Sequence, residues 1–438
     1  MVENSDSKDD VSRSNLLKLE DWWAVWIGGG LLLICVLVPG LTIPKVGKWL
    51  TSPFEVVSPE LVVGILILGL FLALFLSVGT WIMDSVVWTF LRGFWLVFLI
   101  AVVSYIVAEQ RAIAAKGLGY ALWALLIGLL VSNTVGVPEW LRGGLRSELF
   151  IKIGLVLLGA EILFGNILVL GLPGLFVAWL VTPVVIITMF WFGTRVLRMS
   201  SKALVIVVAA ATSVCGVSAA IAAAAASRAK KEELTLAVGM TLIFTVLMMV
   251  GMPLLVKTSG MDAVVGAAWI GGTVDATGAV VAAGSMLGER AEQVAAVVKM
   301  IQNILIGVVA FFIALFWVAR VEREPSGRRP DAMEVWRRFP KFIVGFLAAS
   351  LIFSFLLEPT MGSDAVRGIL AQSKALRGWF FCLAFVSIGL ESNFVELKKQ
   401  MAGGKPIQLY IVGQSFNLVL TLLAAYLAFG GILFALDF

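Results

Sequence analysis

The sequence predicts an all-α polytopic membrane protein with about 11–13 transmembrane helices, an inverted repeat and two broken helices at the midplane. Three observations predict it. The 438-residue chain is 60% hydrophobic and 14% charged, with a mean hydropathy of +1.01, which leaves too little polar surface to cover a soluble globule of this size. Apolar runs close to the ~20 residues that a spanning helix needs recur along the chain. Two of these runs, Ala211-Thr-Ser-Val-Cys-Gly-Val-Ser-Ala219 and Trp269-Ile-Gly-Gly-Thr-Val-Asp-Ala-Thr-Gly278, are interrupted midway by small and polar residues. In hydrocarbon a helix is broken only where the freed backbone lines a cavity or packs against protein, so paired interruptions point to a solute site near the midplane.

The elements follow in order. Met1 to Asp21 mixes acidic and basic residues, unlike the basic-then-apolar order of a secretory signal, and reads as an N-terminal cytoplasmic tail (1–21) without a cleavable signal. Trp22, Trp23 and Trp26 suit interfacial anchors of the first span. Candidate spans, about thirteen by the ~20-residue ruler, begin near Ala24, Leu61, Trp95, Tyr120, Leu149, Leu172, Ala203, Thr235, Ala263, Val297, Phe342, Trp379 and Leu409. An N-terminal transmembrane extension (22–118) precedes a transporter core (119–438) with related halves around 119–200 and 341–438. The longest loop carries Arg320, Arg323, Arg328, Arg329, Arg337, Arg338 and Lys341 and is expected to be cytoplasmic. That places the amino terminus inside and the carboxyl terminus outside, with about 20 Lys and Arg inside against about 11 outside.

The halves are related by an internal echo. Lys152-Ile-Gly-Leu-Val-Leu-Leu-Gly-Ala-Glu-Ile-Leu-Phe164 resembles Cys382-Leu-Ala-Phe-Val-Ser-Ile-Gly-Leu-Glu-Ser-Asn-Phe394, with Gly159, Glu161 and Phe164 matching Gly389, Glu391 and Phe394 at a constant offset of 230 residues. The two lie seven spans apart, an odd number, so they would cross the bilayer in opposite directions, as inverted repeats do. Chance similarity between two Leu-rich helices is the alternative.

Composition excludes several functions. A net charge of +5, with Lys and Arg mostly between apolar runs, follows from the positive-inside rule and calls for no nucleic-acid partner. Cys35, Cys215 and Cys382 lie in apolar stretches at spacings that fit neither a zinc site nor a disulfide framework. No metal or other cofactor is expected, since the chain has no histidine and so lacks the usual transition-metal ligand and neutral-pH proton relay. Any proton coupling must use carboxylates. Without histidine, neither Ser213 nor Cys215 can form a Ser–His or Cys–His pair, so the chain is not read as an enzyme.

In the first interruption, Thr212, Ser213, Cys215, Gly216 and Ser218 combine hydroxyls with a glycine that lets the chain bend. A half-helix starting there would aim free N–H groups and its positive dipole end at an anion. Close helix packing is the alternative use of such small residues. In the second, Gly271, Gly272, Thr273 and Thr277 surround Asp275. A charge near the bilayer centre costs roughly 3 kcal/mol on insertion scales and normally faces a partner or water, so Asp275 is the leading coupling residue, carrying a proton or coordinating Na+. Lys299, Gln302 and Asn303 follow at helical spacing. Lys299 either supplies counter-charge to Asp275 and a bound anion or snorkels to an interface. Glu161 and Glu391 are further coupling or gating candidates, with interfacial placement as the alternative.

These residues also carry a family resemblance. Ser213-Val-Cys-Gly-Val-Ser-Ala219 resembles the Ser-(Ile/Val)-Cys-Gly-x-Ser-Ala signature of the YeiH-like sulfate exporter family of bacterial inner-membrane proteins. Thr273-Val-Asp-Ala-Thr-Gly-Ala-Val-Val-Ala-Ala283, followed by Lys299, is similar to that family's Thr-Ile-His-Glu-x-x-Gln-Val-Val-Ala-Ala pattern and its later lysine. Asp275 stands at the histidine, Ala276 at the glutamate and Ala279 at the glutamine. The resemblance covers roughly Tyr120 to Phe438 and implies export of a small sulfur oxyanion such as sulfate. The expectation is therefore a multi-pass secondary active transporter of the bacterial inner membrane. It would move a small inorganic anion by alternating access, coupled through Asp275 to protons or sodium, and a homodimer is plausible. A sodium- or proton-coupled carboxylate transporter is the first alternative and an anion channel the second.

Overall fold

A computed structural model of the chain describes residues 19–38, 40–84, 87–115, 119–162, 164–322, 340–393 and 404–434. Most of the amino-terminal tail, most of the basic loop after Arg320, and Phe394 lie outside the described residues. Among the described residues, nine helices are long and apolar enough to cross a membrane, and four shorter apolar helices accompany them. The protein is thus an all-α polytopic membrane protein. The segment beginning at Tyr120 is only 15 residues long, and the two interrupted segments divide into separate half-helices.

Contacts divide the chain into two units, one of Met1–Phe164 with Lys341–Asn393, the other of Gly165–Pro340 with Phe394–Phe438. The first holds α1 (Glu20–Leu37), α2 (Pro59–Asp84), α3 (Val87–Ala108), α4 (Tyr120–Thr134) and α5 (Ser147–Glu161). The second contains α6 (Leu168–Val196), the half-helices α7 (Lys202–Ser213) and α8 (Gly216–Ser227), and α9 (Lys231–Thr258). It continues with the half-helices α10 (Ala263–Thr273) and α11 (Thr277–Ser285) and with α12 (Glu289–Phe316). The chain then returns to the first unit for α13 (Phe342–Met361) and α14 (Ser363–Glu391), and ends in the second with α15 (Gly404–Phe429).

The first unit is built around α5 and α14, both apolar enough to be buried along most of their shared length. Ser147, at the start of α5, donates to Glu391 at the end of α14 at 2.7 Å. At the other end of α5, Arg377 holds Glu161 through two bonds of 2.8 and 2.9 Å. The two helices therefore run antiparallel, and both pairs obey the 230-residue offset, Ser147 corresponding to Arg377 and Glu161 to Glu391. The flanking helices exchange in the same way. Ser350 of α13 donates to Ile162 O at 2.6 Å, and Asn133 of α4 to Ser392 O at 3.0 Å, the two acceptors again 230 residues apart. Gly159 lets α5 touch the backbone of α13 at Phe346, while Gly389 lets α14 touch α4 at Leu125 and Gly128.

Such backbone contact is how membrane helices gain dispersion attraction without a hydrophobic drive. A Cβ on Gly389 would lie 2.5 Å from Leu125 O and 2.9 Å from the Gly128 Cα, whereas one on Gly368 of the same helix meets nothing within 4 Å. Gly389→Ala is expected to cost about 1–3 kcal/mol by overpacking, read as a lowered Tm of the purified protein, with Gly368→Ala unchanged. Equal Tm values for the two variants would contradict the close packing of α4 on α14.

At the amino-terminal end of α1, Lys152 gathers Glu20 and Asp21 at 3.1 and 3.0 Å, and Asp21 also accepts from Lys341 N at 2.9 Å. Glu20 and Asp21 are thus the first turn of a helix. Trp22 stacks on Trp26, ring centroids 5.9 Å apart.

Candidate functional site

The two interruptions meet inside the second unit. In the first, Val214 and Cys215 leave helical geometry, Cys215 at φ −155° and ψ 121°. In the second, Val274 and Ala276 are extended. The backbone N–H of Gly216, which opens α8, donates to the carbonyl of Asp275 at 2.7 Å. A Cβ at Gly216 would lie 3.0 Å from Thr241 Oγ1, so a larger residue there would press on Thr241.

Breaking a helix orphans its terminal carbonyls, and α12 and α15 supply the donors. Lys299 Nζ donates to Val214 O at 2.5 Å and to Gln302 Oε1 at 2.7 Å. The Gln302 amide donates to Ser213 O at 2.9 Å and to Gly272 O at 3.0 Å, joining the carboxyl ends of α7 and α10. Gln414 serves Thr273 O and Asn417 serves Thr212 O, each at 3.2 Å. Thr182 Oγ1 also donates to Ser213 O, at 3.2 Å.

The charges follow the helix dipoles. The Lys299 ammonium sits at the negative, carboxyl end of α7, and Asp275 lies just before the positive, amino end of α11 and against that of α8. Each is compensated without an ion pair between them. Asp275 is 1% exposed and accepts through Oδ2 from the hydroxyl of Tyr410, whose ring stacks on Phe244 with centroids 4.4 Å apart. Asn303 Nδ2 donates to Thr277 Oγ1 at 3.0 Å.

The predicted residues are thus placed unequally. Thr273, Asp275, Thr277, Lys299, Gln302, Asn303, Cys215 and Gly216 gather at the crossing. Thr212 and Ser213 are there too, but their hydroxyls donate back to Val208 O and Ala209 O, an internal bond common for hydroxyls in helices. Ser218, in the first turn of α8, is exposed, and Val217, Ala276 and Thr277 are partly so. Gly271 and Gly272 lie within α10 before its break, where they admit α12 at Ala295 O, and Thr421 and Val177, to close contact. Glu161 and Glu391 belong to the first unit, engaged by Arg377 and Ser147.

Sequence reasoning missed Tyr410, Gln414, Asn417 and Thr421. Their spacing of four, three and four residues puts them on one face of an otherwise apolar α15. That polar stripe was a readable signal. Thr182 of α6 carries no comparable pattern.

Comparison with known proteins places this geometry in a family. The profile described as Conserved hypothetical protein 698 matches residues 92–410, which include both interruptions. UPF0324 membrane protein RB9488 of Rhodopirellula baltica is 53% identical over 88% of this chain and 71% of its own length. A UPF0324 membrane protein of Nitratidesulfovibrio vulgaris is 52% identical over 87% of this chain and 66% of its own length. UPF0324 membrane protein NE0724 of Nitrosomonas europaea is 28% identical over 92% and 94%. The chain therefore spans about two thirds of the length of the first two relatives and nearly all of the third. No solved structure matches the chain.

Proposed function

We propose that this chain, which belongs to the membrane-protein family described as Conserved hypothetical protein 698, is a secondary transporter of a small anion in the bacterial inner membrane. The observation that carries this reading is the meeting of two interrupted helices at the Gly216 N–H to Asp275 O bond, with their carboxyl ends capped and a carboxylate enclosed between them. Apart from Gly216 N–H, which the Asp275 carbonyl takes, the first-turn N–H groups of α8 and α11 have no intrahelical acceptor, and they lie at the partly exposed rim of Val217, Ser218, Ala276 and Thr277. Such amides and hydroxyls receive an oxyanion and release it again, because no permanent salt bridge holds it.

Asp275 lies behind this rim and provides the coupling. A cation or proton bound there offsets its negative charge and so favours an anion at the neighbouring helix ends. The antiparallel pairing of α5 with α14 and the reciprocal exchange of α4 and α13 support an inverted repeat, the construction from which alternating access follows in many carriers. A sulfur oxyanion such as sulfate is the solute that the family signature suggests.

The test is thermal stability of the purified protein with sulfate, sulfite, thiosulfate, taurine and dicarboxylates, since a ligand raises Tm by mass action. Stabilisation by sulfur oxyanions that is lost in Ser218→Ala and Thr277→Val is the expected result. Stabilisation by dicarboxylates alone would replace the solute class, and stabilisation by none of the panel would overturn the oxyanion reading.

A further inference from the structure

The crossing contains more unpartnered acceptors than one proton can serve. Asp275 Oδ1, Asn303 Oδ1, Gln414 Oε1 and Thr273 Oγ1 are buried oxygens without a hydrogen-bond partner among the described residues. Their side chains are 1, 2, 5 and 1% exposed. Each belongs to the short segment between α10 and α11 or is fastened to it by its other polar atom. Asp275 Oδ2 accepts from Tyr410, Asn303 Nδ2 donates to Thr277 Oγ1, and Gln414 Nε2 donates to Thr273 O. Thr273 itself ends α10.

Carboxylate and amide oxygens can only accept, and a buried acceptor without a partner is destabilising. A proton on Asp275 would donate to one of the other oxygens and leave the rest bare. A small hard cation takes several oxygen ligands at once, and unwound segments of transporter helices hold coupling ions in this way. The donor set contains one carboxylate and three neutral oxygens, which balances a single positive charge. Among the described residues no group of three or more His, Cys, Asp or Glu is placed to hold a metal ion, so nothing there suits a transition metal. Lys299 spends its hydrogen bonds on Val214 O and Gln302 Oε1 and reaches Asp275 only through its field, which leaves the carboxylate oxygen Oδ1 open to a cation.

We propose that Asp275 Oδ1, Asn303 Oδ1, Gln414 Oε1 and Thr273 Oγ1 form a sodium site. The inference deepens the transporter reading and rests on it only for the coupling role, because sodium binding is measured without any transported solute.

The experiment is the Tm of the full-length protein in detergent as NaCl replaces choline chloride at constant ionic strength, with LiCl and KCl in parallel and at two pH values. A saturable rise with NaCl and none with KCl is expected by mass action. Asp275→Asn, Asn303→Ala and Gln414→Leu should each abolish the rise or move its midpoint more than tenfold, while Glu55→Gln, at the end of a one-turn 3-10 helix of the first unit, leaves it unchanged. If those variants do not fold, radioactive sodium bound to the unaltered protein in equilibrium dialysis, displaced by NaCl but not by KCl, reads the site directly. A Tm that follows pH but is indifferent to the choice of cation assigns a proton to Asp275 and overturns the proposal. Sodium binding combined with no response to any anion of the panel upholds the sodium site and removes the oxyanion reading, so the two can fail separately.

Discussion

Asp275→Asn is expected to abolish concentrative transport in proteoliposomes while the purified protein remains folded. Asparagine keeps the shape of the side chain and an oxygen that can accept from Tyr410, the bond that Asp275 Oδ2 makes. It lacks the negative charge that a coupled cation or proton requires. A tenfold ion gradient supplies about 1.4 kcal/mol per ion, enough for roughly tenfold accumulation at one-to-one electroneutral stoichiometry. The variant should bring internal solute only to the external concentration, whatever gradient is imposed, while exchange of labelled for unlabelled solute persists. Driven uptake equal to that of the parent would make Asp275 a structural residue and remove the coupling mechanism.

Arg377→Ala is expected to give the largest loss of stability. Arg377 and Glu161 are 5% and 6% exposed, and the guanidinium also lies 5.5 Å from the ring centre of Phe381. Removing one member of a buried pair costs about 3–5 kcal/mol. Tm of the purified protein measures it. Adding Glu161→Gln to Arg377→Ala should recover part of the loss, since the stranded carboxylate is then neutral. Glu391→Gln, at the corresponding position of α14 where the partner is the Ser147 hydroxyl, should cost about 1 kcal/mol, the scale of a single hydrogen bond. A Tm for Arg377→Ala equal to that of Glu391→Gln would show that the pair contributes no more than an ordinary surface contact.

Both expectations draw on features that were legible to different degrees. The interruptions at 214–215 and 274–276 were readable because glycine, hydroxyl and carboxyl residues stand out within alanine- and valine-rich runs. The 230-residue offset was readable because Gly159 of α5 and Gly389 of α14 serve one need, close backbone approach. Arg377 offered no such signal. It lies midway along α14, and its pairing with Glu161 depends on how α14 crosses α5.

The sequence by itself determined that this is a helical membrane protein, since hydropathy and span length are local properties that the bilayer reads directly. It also determined where two helices break and that Asp275 and Lys299 are the charges nearest those breaks. Only the tertiary structure decided which groups answer them. Lys299 serves the carboxyl end of α7 rather than Asp275, and the partner of Asp275 is Tyr410, 135 residues away. Likewise the hydroxyls of Thr212 and Ser213 turn inward to their own helix, while Asn303 and Gln414 leave bare oxygens at the gap. The reason is physical: buried polar groups must find partners wherever packing brings them, and packing joins helices whose separation along the chain carries no trace of the contact.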